Sequence, residues 1–418
     1  MNAPPQPATR WQIFCWTLFD FANTGFYVII ITLVFPIYFK NVIAGGNEAY
    51  WGRTISASML ITAVLGPFLG SVADATSRKK MLLAIFTGAC VISTAGLYCT
   101  GQGTLWAAVT LLIVANVGFE GGTVFYDAFL PEISTQKNYA RISGYGFAVG
   151  YLGSFATLLI ILPILSHANP ASDNVRVTFL IAAAFFAFFA LPLFLFLHEH
   201  RLRPSRPDSF ILAGYERLKN TVAHIRQYDS IERFLVAFFV YNDSILTVIF
   251  FSGIFAEHTL GLTLEELVYF FLLVQGFALL GSVAFGVVTN RLGPRQVIGV
   301  TLLIWLAVVG AAYAIQSKEA FFLLGAVAGI ALGSSQSTSR TMMALLTPFE
   351  KRAEFFGFYD GFFGKASAVV GPLIFGEVSH RFGQRPAILT IGGLLAVGLL
   401  LLFRVPDVRP AGAGIVEA

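Results

Sequence analysis

The chain has 418 residues, 56% of them hydrophobic and 12% charged, with a mean hydropathy of +0.74 and a formal net charge of +4. Soluble domains carry about 25% charged residues, so water cannot be this protein's only solvent and a wholly soluble fold is excluded. Forty-two Phe and forty Gly point the same way, because Gly lets membrane helices approach closely. Cys15, Cys90 and Cys99 lie in apolar runs without metal-ligand spacing and read as small core residues.

In chain order, residues 1–13 form a polar, Pro-rich tail with no cleavable signal peptide. Apolar stretches of about 20 residues, enough to span a bilayer, then follow near 14–39, 51–73, 80–99, 104–130, 141–166 and 176–198. A second set lies near 231–256, 266–289, 296–316, 320–346, 353–378 and 384–404. The pattern predicts an all-α integral membrane protein of twelve transmembrane helices in two six-helix bundles, 14–198 and 231–404, with a tail over 405–418. A polar linker, 199–230, joins the bundles. Within it Leu212, Tyr215, Leu218, Val222 and Ile225 recur at helical spacing after Ser209, which predicts an amphipathic helix on the membrane face.

Basic residues set the orientation. Nineteen of the 27 fall on one side, including Arg78, Lys79, Lys80, Arg141 and those of the linker. Only Lys40, Arg53, Arg176, Lys318, Arg381 and Arg385 fall on the other, while Arg340 and Lys365 lie inside helices. Both termini are therefore expected in the cytoplasm.

The loop after the second segment runs Gly70-Ser-Val-Ala-Asp74-Ala-Thr-Ser-Arg78-Lys79-Lys80, and a weaker copy, Gly286 to Arg295, follows the eighth. Two copies at matching positions make the halves parallel repeats, a pseudo-symmetric pair. The chain resembles the major facilitator superfamily, with Asn290 departing from the acid expected in the second copy. A narrower resemblance rests on Phe19-Asp20-Phe21-Ala22-Asn23-Thr24-Gly25, Pro131-Glu132-Ile133, Arg141-Ile-Ser-Gly144, Tyr241-Asn242-Asp243, Ser335-Gln336 with Ser339-Arg340, and Glu354-Phe-Phe-Gly357 running on to Lys365. These are similar to the vacuole-effluxer-like branch, the group around the autophagy-related amino-acid exporter and its bacterial relatives. The resemblance implies efflux of amino acids and places the first, fourth, seventh and tenth segments around a central cavity.

Ionisable residues inside a membrane face a cavity or a partner. Here they are Asp20, Glu120, Asp127, Asp243, Arg340, Asp360 and Lys365. A zwitterion could set its ammonium near Asp20 or Glu120 and its carboxylate near Arg340 or Lys365; the guanidinium fork suits a carboxylate. Asn23, Asn242 and Gln336 are further polar lining residues, equally able to serve as interhelical glue. Asp243 or Glu120 is the expected carrier of a coupling proton, since burial favours the neutral form of an acid. Alternatively, Arg340 and Asp360 simply neutralise each other. Asp74, Arg78, Glu132 and Arg141 gather at the cytoplasmic ends of the first half as expected gating residues, or as charges that mark the membrane boundary.

No Walker loop, HExxH or nucleophile elbow is present, so no catalytic residue, metal or cofactor is expected. The basic residues follow membrane topology rather than a nucleic-acid footprint. The expected protein is a monomeric secondary transporter of the bacterial inner membrane, working by alternating access on a small solute with protons as partner. A lipid flippase or scramblase on the same fold, and a non-transporting solute sensor, stay open.

Overall fold

The computed structural model describes residues 9–75, 79–133, 139–166, 168–169, 172–199, 219, 228–347, 355 and 357–408. Among them every regular element is helical. The expected linker helix and most of the two tails lie outside the described residues.

Thr9 opens the first helix, α1 (Arg10–Ile43), through a reciprocal capping box with Gln12. Two π-helical stretches, Tyr27–Leu33 and Phe39–Ile43, flank Pro36, which cannot donate to the ladder. Five helices follow: α2 (Glu48–Ala75), α3 (Lys79–Cys99), α4 (Leu105–Asp127), α5 (Tyr139–Leu165) and α6 (Asp173–Phe196). Next come α7 (Asp229–Leu260), α8 (Leu264–Leu292), α9 (Pro294–Ala314) and α10 (Lys318–Leu346). The eleventh segment, expected as one helix, is broken. Its first part, α11 (357–366), winds as a π helix over Gly357–Phe363 before Gly364–Ala366, and its second, α12 (Val370–Phe382), starts afresh. The last helix is α13 (Gln384–Leu402).

Among the described residues nine helices are long and apolar enough to cross a membrane. The remaining expected crossings are helical too: α2, α5 with an apolar stretch over Val149–Leu165, and the eleventh segment in its two parts. Large apolar side chains face outward, among them Ile92 at 73%, Leu323 at 70% and Leu400 at 65% exposure, as a hydrocarbon solvent permits.

The chain divides into two compact units: Met1–Gly46 with Ala57–Lys219, and Asn47–Ser56 with Asn220–Ala418. The boundary falls inside α2, whose first two turns belong with the second unit.

Without a hydrophobic force between helices in lipid, close backbone approach holds them together, and small residues permit it. In the first unit α5 presents Gly146, Gly150 and Gly153 to α1; a Cβ at Gly153 would stand 2.2 Å from the Phe21 carbonyl oxygen. Gly118 of α4 meets the backbone of Cys90 on α3 in the same way. In the second unit Gly325, Gly329 and Gly333 of α10 meet Phe270, Val274 and Ala278 of α8, and a Cβ at Gly333 would lie 1.9 Å from the Ala278 carbonyl oxygen. That contact leaves no room for a methyl group. Gly333→Leu is therefore expected to lower thermal stability by at least the ~1–3 kcal/mol of an overpacked core. Gly310→Leu, where nothing lies within 4 Å of the added Cβ, should be near neutral. Thermal melting followed by size-exclusion elution in detergent reads the difference.

Candidate functional site

In the first unit, Asp20 is half-buried where α1 meets α4 and α5. The Tyr126 hydroxyl donates to its Oδ2 at 2.7 Å, and Asn23 Nδ2 lies 3.4 Å from its Oδ1. The Tyr126 ring stacks on Trp16 with centroids 4.6 Å apart, and Trp16 Nε1 donates to the Tyr126 carbonyl at 3.3 Å. Gly146 makes space for the acid: a Cβ there would meet Asp20 Oδ2 at 2.4 Å. Thr24 then ties α1 to α5 by donating to the Gly150 carbonyl at 3.0 Å. Asp20 and Asn23 are thus brought together, with Tyr126 as the partner that sequence reasoning missed. Its position beside Asp127 at the end of α4 drew attention to the charge rather than to the ring.

Glu120 is buried, 4% exposed, six residues earlier on α4, about 9 Å along the axis at 1.5 Å per residue. It interacts electrostatically with Tyr27 of α1 and Cys90 of α3. Asp127, by contrast, is exposed at the end of its helix.

In the second unit the Tyr241-Asn242-Asp243 triplet sends three side chains to three helices. The Tyr241 hydroxyl and Ser339 Oγ of α10 lie 2.7 Å apart, and Gly398 of α13 packs directly on Tyr241. Asn242 Nδ2 donates to Ser367 Oγ at 2.7 Å, in the break between α11 and α12. Asp243, 2% exposed, accepts from the Gly371 amide at 2.9 Å and from the Val370 amide. A helix start leaves N–H groups unpaired, and no side chain of α12 itself caps it. Asp243 supplies that cap from a neighbouring helix. Gly371 is required there, since a Cβ would lie 2.1 Å from Thr247 Oγ1 and 2.9 Å from Asp243 Oδ2.

Two carbonyls of the break are paired as well. Ser367 Oγ donates to the Gly364 carbonyl at 2.9 Å, and Ser56 Oγ donates to the Val369 carbonyl at 2.7 Å. Pro372 has no N–H to return to Ala368, so the hydrogen-bond ladder is weakened across this stretch. The Gly371-Pro372 pair was the sequence signal for the break.

Lys365 stands in the last turn before the break, half-buried. Gln336 and Arg340 lie one turn apart on α10, the first exposed and the second half-buried and engaged with other groups. The side chain of Asp360, the alternative partner for Arg340, lies outside the described set.

Of the expected gating residues, Arg78 and the side chains of Asp74 and Arg141 also lie outside it. Glu132 is described, and its Oε1 pairs with Lys79 Nζ at 2.8 Å with both side chains nearly buried. Lys80 Nζ donates to the Leu197 carbonyl at 2.7 Å, Glu199 accepts from the Lys79 amide, and Gln12 Nε2 lies 2.9 Å from His198 Nδ1. The ends of α1, α3, α4 and α6 are thereby fastened within the first unit. Among the described residues no group of three or more His, Cys, Asp or Glu is placed to hold a metal.

Comparison with known proteins gives this geometry a context. The family model described as "Vacuole effluxer Atg22 like" matches residues 46–411. The uncharacterized MFS-type transporter YxiO of Bacillus subtilis is 31% identical over 405 residues, covering 94% of each chain. Autophagy-related protein 22 of Eremothecium gossypii is 23% identical, covering 90% of this chain and 86% of its own. Two solved folds are similar. The bacterial homologue of the human lysosomal transporter Spinster, inward-facing and occupied, has a TM-score of 0.75 at 14% identity over 97% of both chains. The nucleoside transporter NupG has a TM-score of 0.73 at 13% identity, covering 95% of this chain and 99% of its own. The chain belongs to the vacuole effluxer Atg22-like family, and is a multi-pass membrane transporter of the major facilitator type rather than an enzyme.

Proposed function

We propose that the protein exports amino acids or a similar small zwitterion by alternating access, coupled to protons. The observation that carries this reading is the broken eleventh segment with a buried acid at its break. Discontinuous helices are where transporters place substrate and coupling-ion sites. A carboxylate, unlike a neutral amide or hydroxyl, can exchange that role for a proton. Protonating Asp243 turns it into a poorer acceptor for the Val370 and Gly371 amides, so the cap on α12 weakens as the proton binds.

On this reading Arg340 and Lys365 hold the substrate's carboxylate, while Asp20 and Glu120, with Asn23 beside them, receive its ammonium. Asn242 holds the break, Gln336 lines the path, and Glu120 is the second proton site. Asp74, Arg78, Glu132 and Arg141 gate the side carrying Lys79. The excess of basic residues there makes that side cytoplasmic, with both termini inside a bacterial plasma membrane. The chain is a monomer with two six-helix bundles, 14–198 and 231–404, as the working parts. The family description supports outward transport.

Two outcomes test it. Asp243→Asn should flatten the dependence of proteoliposome flux on a pH gradient. An unchanged dependence sends the proton to Glu120. For Arg340, the measurement is thermal shift of purified protein against amino acids, sugars, nucleosides and lysolipids. A solute at 100 times its dissociation constant adds about 2.7 kcal/mol of stability. Wild type should respond to amino acids, and Arg340→Ala should lose that response while melting normally without ligand. Stabilisation by lysolipids alone would favour a flippase instead.

A further inference from the structure

One turn before Glu120, α4 carries Asn116, and the four-residue spacing puts both side chains on one face. Asn116 is fully buried, and its Nδ2 donates to Ser58 Oγ of α2 at 2.9 Å. Its carbonyl oxygen Oδ1 is buried as well and accepts no hydrogen bond among the described residues. Such an orphaned acceptor is costly in a dry interior, because the hydrogen bonds of water are lost and none replaces them. Glu120, 4% exposed, brings a carboxylate to the same face. α2 and α4 are separated in the chain by one returning helix, α3, so they run in the same direction. Thr62, 1% exposed, stands one turn beyond Ser58 just as Glu120 stands one turn beyond Asn116. The Thr62 hydroxyl donates to the Ser58 carbonyl at 2.9 Å, which spends its hydrogen and leaves two lone pairs on Oγ1.

We propose that Asn116 Oδ1 and the Glu120 carboxylate, with the Thr62 hydroxyl alongside, form a site for a sodium ion. The inference rests on the reading of the protein as a gradient-driven transporter and deepens it: the cation site at Glu120 takes sodium as an alternative to a proton. Each group offered is an oxygen with lone pairs, the ligand type that hard cations prefer. One carboxylate among neutral oxygens matches one positive charge, whereas a divalent ion would bring an excess charge into the membrane interior. A water could serve Asn116 alone; a cation draws the amide carbonyl and the carboxylate to one point. The titratable groups that act on Glu120 from neighbouring helices are Tyr27 of α1 and Cys90 of α3, both neutral groups at pH 7. α2 contributes the hydroxyls of Ser58 and Thr62. Sodium then enters down its gradient as the solute leaves.

Sodium binding is measured with no organic solute present, so its result stands apart from whether amino acids are carried. The probe is sodium chloride, titrated to about 100 mM against choline chloride at constant ionic strength so that screening stays fixed. Thermal unfolding of the purified protein in detergent is the readout. Wild type should gain stability saturably with sodium, and neither choline nor magnesium should reproduce the gain. Glu120→Gln and Asn116→Leu should each weaken the apparent sodium affinity about tenfold or more, the usual scale for a lost metal-site group. A merely structural role for these residues would instead lower melting equally in both salts. Thr62→Val, which keeps the side-chain shape, gives the same reading should Asn116→Leu fail to fold. Identical wild-type curves in sodium and choline, or a sodium response that survives these substitutions, would overturn the site. So would a larger response to magnesium than to sodium.

Discussion

Hydrocarbon offers no hydrogen bonds, so each backbone N–H and C=O inside a membrane needs a protein partner. That constraint decides how the eleventh segment can be built. The segment breaks just before Gly371 and Pro372, and the break leaves amides and carbonyls that need partners. Asp243, Asn242, Ser367 and Ser56 answer that demand one group at a time. A buried acid, which would otherwise be a liability of several kcal/mol, is retained because it caps a helix start.

The same constraint explains the distribution of glycine. Helices whose backbones touch exclude lipid and shorten the path between polar groups on neighbouring helices. Gly146 admits the Asp20 carboxylate beside α5, and Gly371 admits Asp243 beside α12. In each case the polar site and the close approach are one feature, because a methyl group at the glycine would collide with the acid. Packing and candidate chemistry cannot be varied separately at these two positions.

Much of this was legible in the chain. Apolar runs gave the helices, the Gly70–Lys80 loop and its Gly286–Arg295 copy gave the superfamily, the Phe19–Gly25 stretch and its companion motifs gave the family, and the ionisable residues within the segments pointed to Asp20, Glu120 and Asp243 as candidates. The partners were harder to see because they carry no charge. Tyr126 and Ser367 are ordinary members of apolar segments, and their roles come from what faces them across a helix contact. The break was foreshadowed by Gly371-Pro372, but a proline inside a membrane segment is common enough that spacing alone gives no reason to divide the helix.

The two halves solve one problem in related ways. Asp20 on α1 lies against a glycine of α5, and Asp243 on α7 lies against a glycine of α12, the second part of the eleventh segment. First and seventh segments correspond in the expected pair of six-helix repeats, as do fifth and eleventh, so the two acid–glycine contacts join corresponding segments. They differ in what the acid accepts from. Asp20 takes a tyrosine hydroxyl, a side-chain donor that can rotate away, whereas Asp243 takes backbone amides fixed in a helix start. A proton arriving at Asp20 would disturb one side chain; at Asp243 it would disturb the start of a helix.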